Sequence, residues 1–405
     1  MNIALLTYST KPRGGVVHTL SLAEALAAAG ERVTVWTLGR GGDRGFFRPV
    51  DPAVGQVIVP FPDRDGEGTG ARVLRSIATL RAAFDPAGYD IVHAQDCISA
   101  NAAGRCLRTV HHIDQFSTTE LAACHERAIT EPFGHICVSA AVARELQDGW
   151  GIGATVIPNG VDAGRFAAAA APSPAAVAAR DAWRRQLGRY VLAVGGIEPR
   201  KGSIDLLESF ALLRASGPDR AARQLVIAGG ETLFDYRPYR AAWQARADEL
   251  GVAPAVLGPV PHAQLPFLVA AADVFAFPST VEGFGLAAME ALAAGVPVVT
   301  RDLPVLREVF AGAARFGTDV PGLAAALGEA LDHRDPALTA AGRELASGHT
   351  WDAAARQHLE VYRAAQEEHG GAEEATPRTP VRTRRAARPA SRPARSWRTD
   401  SVPPL

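Results

Sequence analysis

Short apolar runs rich in Val, Ile and Leu recur along the chain, separated by stretches whose apolar positions repeat at helical spacing. In the first part the runs predict strands at 2–7, 32–38, 56–59, 91–93, 107–110, 135–138 and 155–157. Helical periodicity between them covers 16–30, 71–84 and 140–150, among others. An Ala/Pro-rich stretch, 163–186, interrupts the pattern and reads as the join between two units. The alternation then restarts. Strands are predicted at 190–194, 224–228, 256–257, 274–277 and 296–300, with helices from 203 and at 239–250, 264–271 and 286–293. A last helix is expected at about 350–366. Strands alternating with helices in this way imply right-handed βαβ units and parallel sheets, here as two doubly wound α/β domains. Their functional crevice belongs at the carboxyl ends of the strands and between the domains.

Composition narrows the class. A chain of 405 residues with 47% hydrophobic and 21% charged residues has material for more than one folded core. The net charge of −1 disfavours a general nucleic-acid binder, and no run of apolar residues is long enough to span a bilayer. The opening MNIALLTYST reads as a first strand rather than a secretory leader, so a cytoplasmic location is expected. Cys97, Cys106, Cys124 and Cys137 lie 9, 18 and 13 apart, which matches no zinc spacing and suggests reduced thiols. Charge is uneven, however. Residues 371–405 hold eight Arg, six Pro and only three acids, leaving −6 for residues 1–370. Such a segment buries too little apolar surface to offset chain entropy and is expected to be disordered.

Of 42 basic residues only two are lysines, Lys11 and Lys201, and each adjoins a glycine turn, in KPRGG (11–15) and EPRKG (198–202). A compact ammonium in such a place suits a phosphate met as a point charge. Each predicted domain also sends its first strand into a glycine pair, Gly14-Gly15 and Gly195-Gly196. Neither pair forms G-x-G-x-x-G, which disfavours NAD, but a Gly-Gly turn opening a helix still points amides at an anion. The most informative stretch is PSTVEGFGLAAMEALAAGVPVV, residues 278–299. Gly283 and Gly285 free the backbone before a helix that starts near Leu286. Glu282 precedes them, and Glu290 follows it by eight residues, about two turns up the same broad helix face. A carboxylate pair there suits the vicinal hydroxyls of a sugar.

EGFGLAAME with the following ALAAGVPVV, together with VIPNGVD (156–162) and VGGIEPRKG (194–202), closely resembles the retaining GT-B glycosyltransferases of family 4, over nearly all of residues 1–369. The resemblance implies two facing Rossmann-like domains: residues 1–165 on the acceptor side, completed by a crossover helix at 350–369, and residues 166–349 for the nucleotide-sugar donor. Residues 370–405 form the tail. It also implies a nucleoside-diphosphate sugar as donor substrate, an unidentified acceptor, and no metal or other cofactor. By position, Glu282 should lie by the donor sugar, with Gly283, Phe284, Gly285 and Leu286 around the sugar and diphosphate. Glu290 should accept from the ribose, Lys201 should meet the diphosphate, and Gly14 and Gly15 should cap it from the opposite domain. His111 matches a histidine that contacts the transferred sugar. Many members have Gly-Arg where this chain has Gly195-Gly196, so Arg200 is the substitute expected on the diphosphate. His112 and Asp114 also depart from the usual residues, so acceptor class does not transfer. A GT-B epimerase or phosphorylase stays open as an alternative, as does a non-catalytic sugar-nucleotide binder.

The tail could hold the protein weakly at the inner face of an anionic membrane, but its composition is expected to mean a plainly solvated segment. A chain ending at Gly370 is expected to keep its melting temperature and donor binding. Vesicle sedimentation with anionic lipid at low and high salt, compared with the full chain, reads out any electrostatic role.

Overall fold

The computed structural model describes residues 1–113, 118–230 and 236–373; Asp114 and the tail beyond residue 373 lie outside the described residues. Residues 1–366 form one unit containing two parallel sheets. The first is built from β1 (Asn2–Leu6), β2 (Arg32–Arg40), β3 (Gly55–Phe61), β4 (Ile91–Ala94), β5 (Leu107–Val110), β6 (Gly134–Cys137) and β7 (Thr155–Val156), in the order β3-β2-β1-β4-β5-β6-β7. The second comprises β8 (Tyr190–Val194), β9 (Gln224–Ala228), β10 (Ala255–Gly258), β11 (Val274–Phe277), β12 (Val298–Arg301) and β13 (Arg315–Gly317), in the order β10-β9-β8-β11-β12-β13. Helices cover both faces, so central strands such as Ile3–Leu6 and Val274–Phe277 are buried throughout and read as continuous apolar runs. In each sheet the strand order reverses beside the first strand, at β1/β4 and at β8/β11. Those are the places where loops diverge and leave a crevice.

Several elements differ from the sequence reading. β2 and β3 run on to Arg40 and Phe61, because their pairing continues through Gly39↔Pro60 and Arg40↔Phe61. β13 was not expected; three residues carry no periodicity, and its place is set by pairing with β12. Residues 163–186 are not a bare join. They form helices Ala163–Ala170 and Pro174–Leu187, capped by the side chains of Asp162 and Ser173, with Pro174 in the first turn. Phe166 and Ala169 are buried, and Phe166 packs with Leu268, Val269 and Ala271 against the second sheet. Alanine is the strongest helix former, so an alanine-rich stretch between caps is a helix signal first. The chain therefore crosses between sheets over residues 157–162.

The last helix, Trp351–Glu373, places Ala355, Leu359, Tyr362 and Ala365 in one core with Ile3, Leu5 and Leu20 of the first domain. Tyr362 is fully buried, and its hydroxyl lies 2.7 Å from His93 Nδ1 at β4. No helix among the described residues is long and apolar enough to cross a membrane. The four cysteines are free, and burial pushes the thiols of Cys106 and Cys137 up to about 12. A further link joins the two sheets' helices. Glu308, from helix Pro304–Phe310, accepts the main-chain N–H groups of Ala140 (2.6 Å) and Ala141 (2.8 Å) at the start of helix Ala140–Trp150. That places a carboxylate on the positive end of a helix belonging to the other domain.

Replacing Tyr362 by Ala removes a buried ring and takes the partner from His93 Nδ1, while Nε2 keeps Thr109 at 2.8 Å. Urea unfolding should show a loss of about 3–5 kcal/mol, whereas a surface-like loss below 1 kcal/mol would contradict the helix's role in this core.

Candidate active site

The carboxyl ends of β1, β4, β5, β8, β9 and β11 surround one cavity of about 1140 Å³. Its border includes Gly14, Gly15, His111, Arg200, Lys201, Glu282, Phe284, Gly285, Leu286 and Glu290, which the chain order scatters over both domains. Gly283 stands apart from this set. It does not border the cavity; its α-carbon backs onto the carbonyl oxygen of His111, so closely that a Cβ there would sit inside that oxygen.

On the second domain, β8 runs into Gly195 and then a single tight turn, Pro199–Lys201. Gly202 ends that turn with φ +61, and its bare α-carbon lies against the carbonyl of Pro278 after β11. The Arg200 carbonyl accepts the N–H of Thr280 at 2.8 Å. These links bind the 198–202 turn to the segment carrying Glu282. Lys201 Nζ consequently sits 2.6 Å from Glu282 Oε2. Burial alone would push the Glu282 carboxyl up, but the Lys201 and Arg200 charges outweigh it and hold it at about 2. Arg200 itself lies 3.4 Å from Glu198.

Glu290 has a different setting. Helix Leu286–Ala293 begins only after Gly285, whose φ of +99 breaks the chain direction, so Glu282 precedes the helix and the two carboxylates do not share a helix face. The sequence expectation of a pair on one face is corrected accordingly. Burial pushes the Glu290 carboxyl up to about 7, against the lowering effect of Arg165. Arg165 donates to the carbonyl of His262, and both border the cavity near Glu290. Sequence reasoning missed Arg165, although it lies three residues beyond the VIPNGVD run. The glycine pair that opens helix Gly14–Ala28 has no side-chain cap, which leaves its first amides to the cavity.

His111 follows β5 with Nε2 buried and without a partner among the described residues. Burial, then the neighbouring His112, lowers its pKa to about 3, so the ring is neutral. It lies edge-on to His18, with centroids 4.7 Å apart, and His18 Nδ1 is 2.9 Å from Asn159 Oδ1 of VIPNGVD. His18 was also missed; its only signal was its place one turn after the glycine pair. Gln95, too, was missed. It follows β4 and borders the cavity, 1% exposed, with neither side-chain amide atom partnered among the described residues. Among the described residues no group of three or more His, Cys, Asp or Glu could hold a metal ion.

This arrangement can be set beside known proteins. Residues 12–165 match the model for Glycosyltransferase Family 4, and residues 180–333 match that for Glycosyl transferases group 1. The glycogen synthase of Mycobacterium tuberculosis is 29% identical, covering 90% of this chain and 93% of its own. A D-inositol 3-phosphate glycosyltransferase of Corynebacterium urealyticum is 27% identical over 90% of this chain and 96% of its own. The solved structure of sucrose-phosphate synthase from Thermosynechococcus elongatus superposes with a TM-score of 0.73, covering 91% of this chain and all of that one at 22% identity. The two family matches, together with two parallel-sheet domains of GT-B form, make this a glycosyltransferase of the GT-B class. Within that class the chain belongs to glycosyltransferase family 4.

The raised pKa of Glu290 has a stability consequence with a definite sign. The folded state holds this proton up to about pH 7, whereas the unfolded chain releases it near 4.5. Stability from this group therefore falls as pH rises from 4.5 to 7 and stays low above that. Glu290→Gln should match the wild type below pH 4.5 and exceed it by about 3 kcal/mol at pH 8, in paired urea titrations. A variant less stable than the wild type at pH 8 would contradict this setting.

Proposed function

We propose that the chain transfers a sugar from a nucleoside-diphosphate sugar to an acceptor hydroxyl, with retention of configuration and without a metal. The observation that carries this reading is the Lys201–Glu282 pair, 2.6 Å apart and beside Arg200, facing the uncapped start of helix Gly14–Ala28 across one cavity. Breaking the anomeric carbon–oxygen bond builds negative charge on the departing diphosphate and positive charge on the sugar ring. Lys201, Arg200 and the helix amides oppose the first charge, and preorganised electrostatics of this kind is commonly the largest catalytic contribution. The same cations take the role that a bound divalent ion would otherwise fill.

Glu282, held ionised, can only accept hydrogen bonds, which suits the hydroxyls of the transferred sugar rather than proton donation. Lys201 engages it, so it is poorly disposed to attack carbon. The reading therefore takes same-face substitution, in which the acceptor hydroxyl attacks as its proton passes to the leaving phosphate oxygen. Neutral His111 is placed to hydrogen-bond the sugar through Nε2, and Glu290 to accept from the ribose. Glu308 and the Gly283–His111 approach link the two domains that supply these groups.

UDP-, GDP- and ADP-sugars, tested by thermal shift and slow hydrolysis, should reveal one preferred donor. Lys201→Ala should weaken the matching nucleoside diphosphate by about 1.5–3 kcal/mol, roughly ten- to a hundredfold, in calorimetric titration. EDTA should leave turnover intact, and NMR of the product should show the donor's anomeric configuration. Unchanged affinity in Lys201→Ala would overturn the diphosphate assignment.

A further inference from the structure

We propose that the acceptor is an uncharged hydroxyl compound with an apolar body, seated in an apolar chamber of the first domain and oriented by Gln95. This rests on the reading above that the cavity is where the sugar is transferred, and it specifies which molecule receives it.

The chamber is defined by two observations that coincide. Val73, Ile98 and Cys124 are buried and pack as one cluster with Leu121, Cys97 and the ring of Tyr8. The same six residues border the cavity. They come from helices Thr69–Ala83, Cys97–Ala103 and Thr119–Thr130 and from the turn after β1, all in the first domain. The charged groups assigned above to the nucleotide, Glu290, Arg200 and Lys201, come from elsewhere, from a loop and a helix of the second domain, and Arg165 beside Glu290 comes from helix Ala163–Ala170, which packs against the second sheet. An apolar wall facing an open cavity is stabilised by an occupant that removes it from water, and most of all by an apolar one.

Gln95 supplies the polar part of the recognition. Its backbone N–H is spent on the Leu6 carbonyl at 3.0 Å, but its side-chain Oε1 and Nε2 both have no partner among the described residues, at 1% exposure. A buried primary amide in that state is costly until something supplies both a donor and an acceptor. A neutral hydroxyl supplies both; an ionised phosphate or carboxylate offers acceptors only and would face Oε1 with no proton to give. The adjoining Asp96 carboxylate accepts from Tyr8 N–H (3.0 Å) and Ser99 N–H (2.8 Å), which adds negative charge at the cavity wall without a free donor for an anion. Arg108 also borders the cavity, but its guanidinium donates into the main chain at Ala128. His111, whose Nε2 has no partner among the described residues, borders the same cavity at the end of the neighbouring strand β5, so the hydroxyl end of the guest is the end nearest the transferred sugar.

The probes are n-octyl β-D-glucoside below its micellar concentration, glucose, and glucose 6-phosphate, each titrated into the full chain by calorimetry. The glucoside should bind at least tenfold more tightly than either of the others. Leu121→Arg, which puts a charge into the chamber from a half-buried position, should erase that tenfold gain, and Leu121→Gln should reduce it if the arginine variant fails to fold. Gln95→Leu should weaken the glucoside severalfold while raising the melting temperature, since the unpaired amide is gone. Tightest binding by glucose 6-phosphate would overturn the proposal in favour of an anionic acceptor. Glucoside binding unaltered in both Leu121 variants would overturn it by placing the detergent elsewhere. Nucleoside diphosphates are titrated into the same preparations. If none binds, the donor reading fails independently of the acceptor result; if they bind normally to the variants, loss of the glucoside belongs to the chamber alone.

Discussion

The site depends on a contact that no side chain makes. Gly283, in the loop after β11, packs its bare α-carbon against the carbonyl oxygen of His111 after β5. Any other residue would hold the second domain's loop away from the first domain's strand ends. Because nothing intervenes, Glu282 on one side of Gly283 and Phe284 on the other reach the cavity at fixed depths. The Glu308 carboxylate on the Ala140 and Ala141 amides gives a second, polar link between the same two domains. Together these links convert two sheets into one active site, and the Asn159–His18–His111 sequence of contacts sets the ring that faces it.

Two carboxylates eight residues apart are driven in opposite directions by their surroundings. Glu282 is partly buried but lies against Lys201 and Arg200, and its acidity rises. Glu290 is partly buried with weaker compensation from Arg165, and its acidity falls. Separating like groups in this way lets one remain a fixed anion while the other responds near neutral pH. Spacing alone could not have revealed this, because the difference comes from segments 81 and 125 residues away in the chain.

What could be read in the sequence follows from range. The parallel-sheet architecture was legible because buried central strands are continuous apolar runs, and the EGFGLAAME block was legible because its glycines and acids are contiguous. Helices Val320–Asp332 and Pro336–Gly348 were not picked out, although Asp319 and Asp335 cap them and a proline follows in the first turn of each. Those are local signals, and attention to caps would have found them. Gln95, His18 and Arg165 were hidden for a different reason. Each is a common residue at an unremarkable place, and only the folding of distant strands makes it face the cavity. The helical nature of 163–186 was obscured by Pro172 and Pro174, which lie in the short break between two helices and in the first turn of the second rather than between two domains.

The helix Trp351–Glu373 belongs by position to the end of the chain and by packing to its beginning. During synthesis β1 leaves the ribosome hundreds of residues before the side chains of Leu359 and Tyr362 that cover its core. The second sheet, made entirely from the middle of the chain, can complete itself while the first still waits with an uncovered apolar face. Synthesis order and domain order thus run against each other, and the half of the protein translated first is the last to be finished. In the interval its exposed surface is the part of the nascent enzyme most open to chaperones and to misassembly.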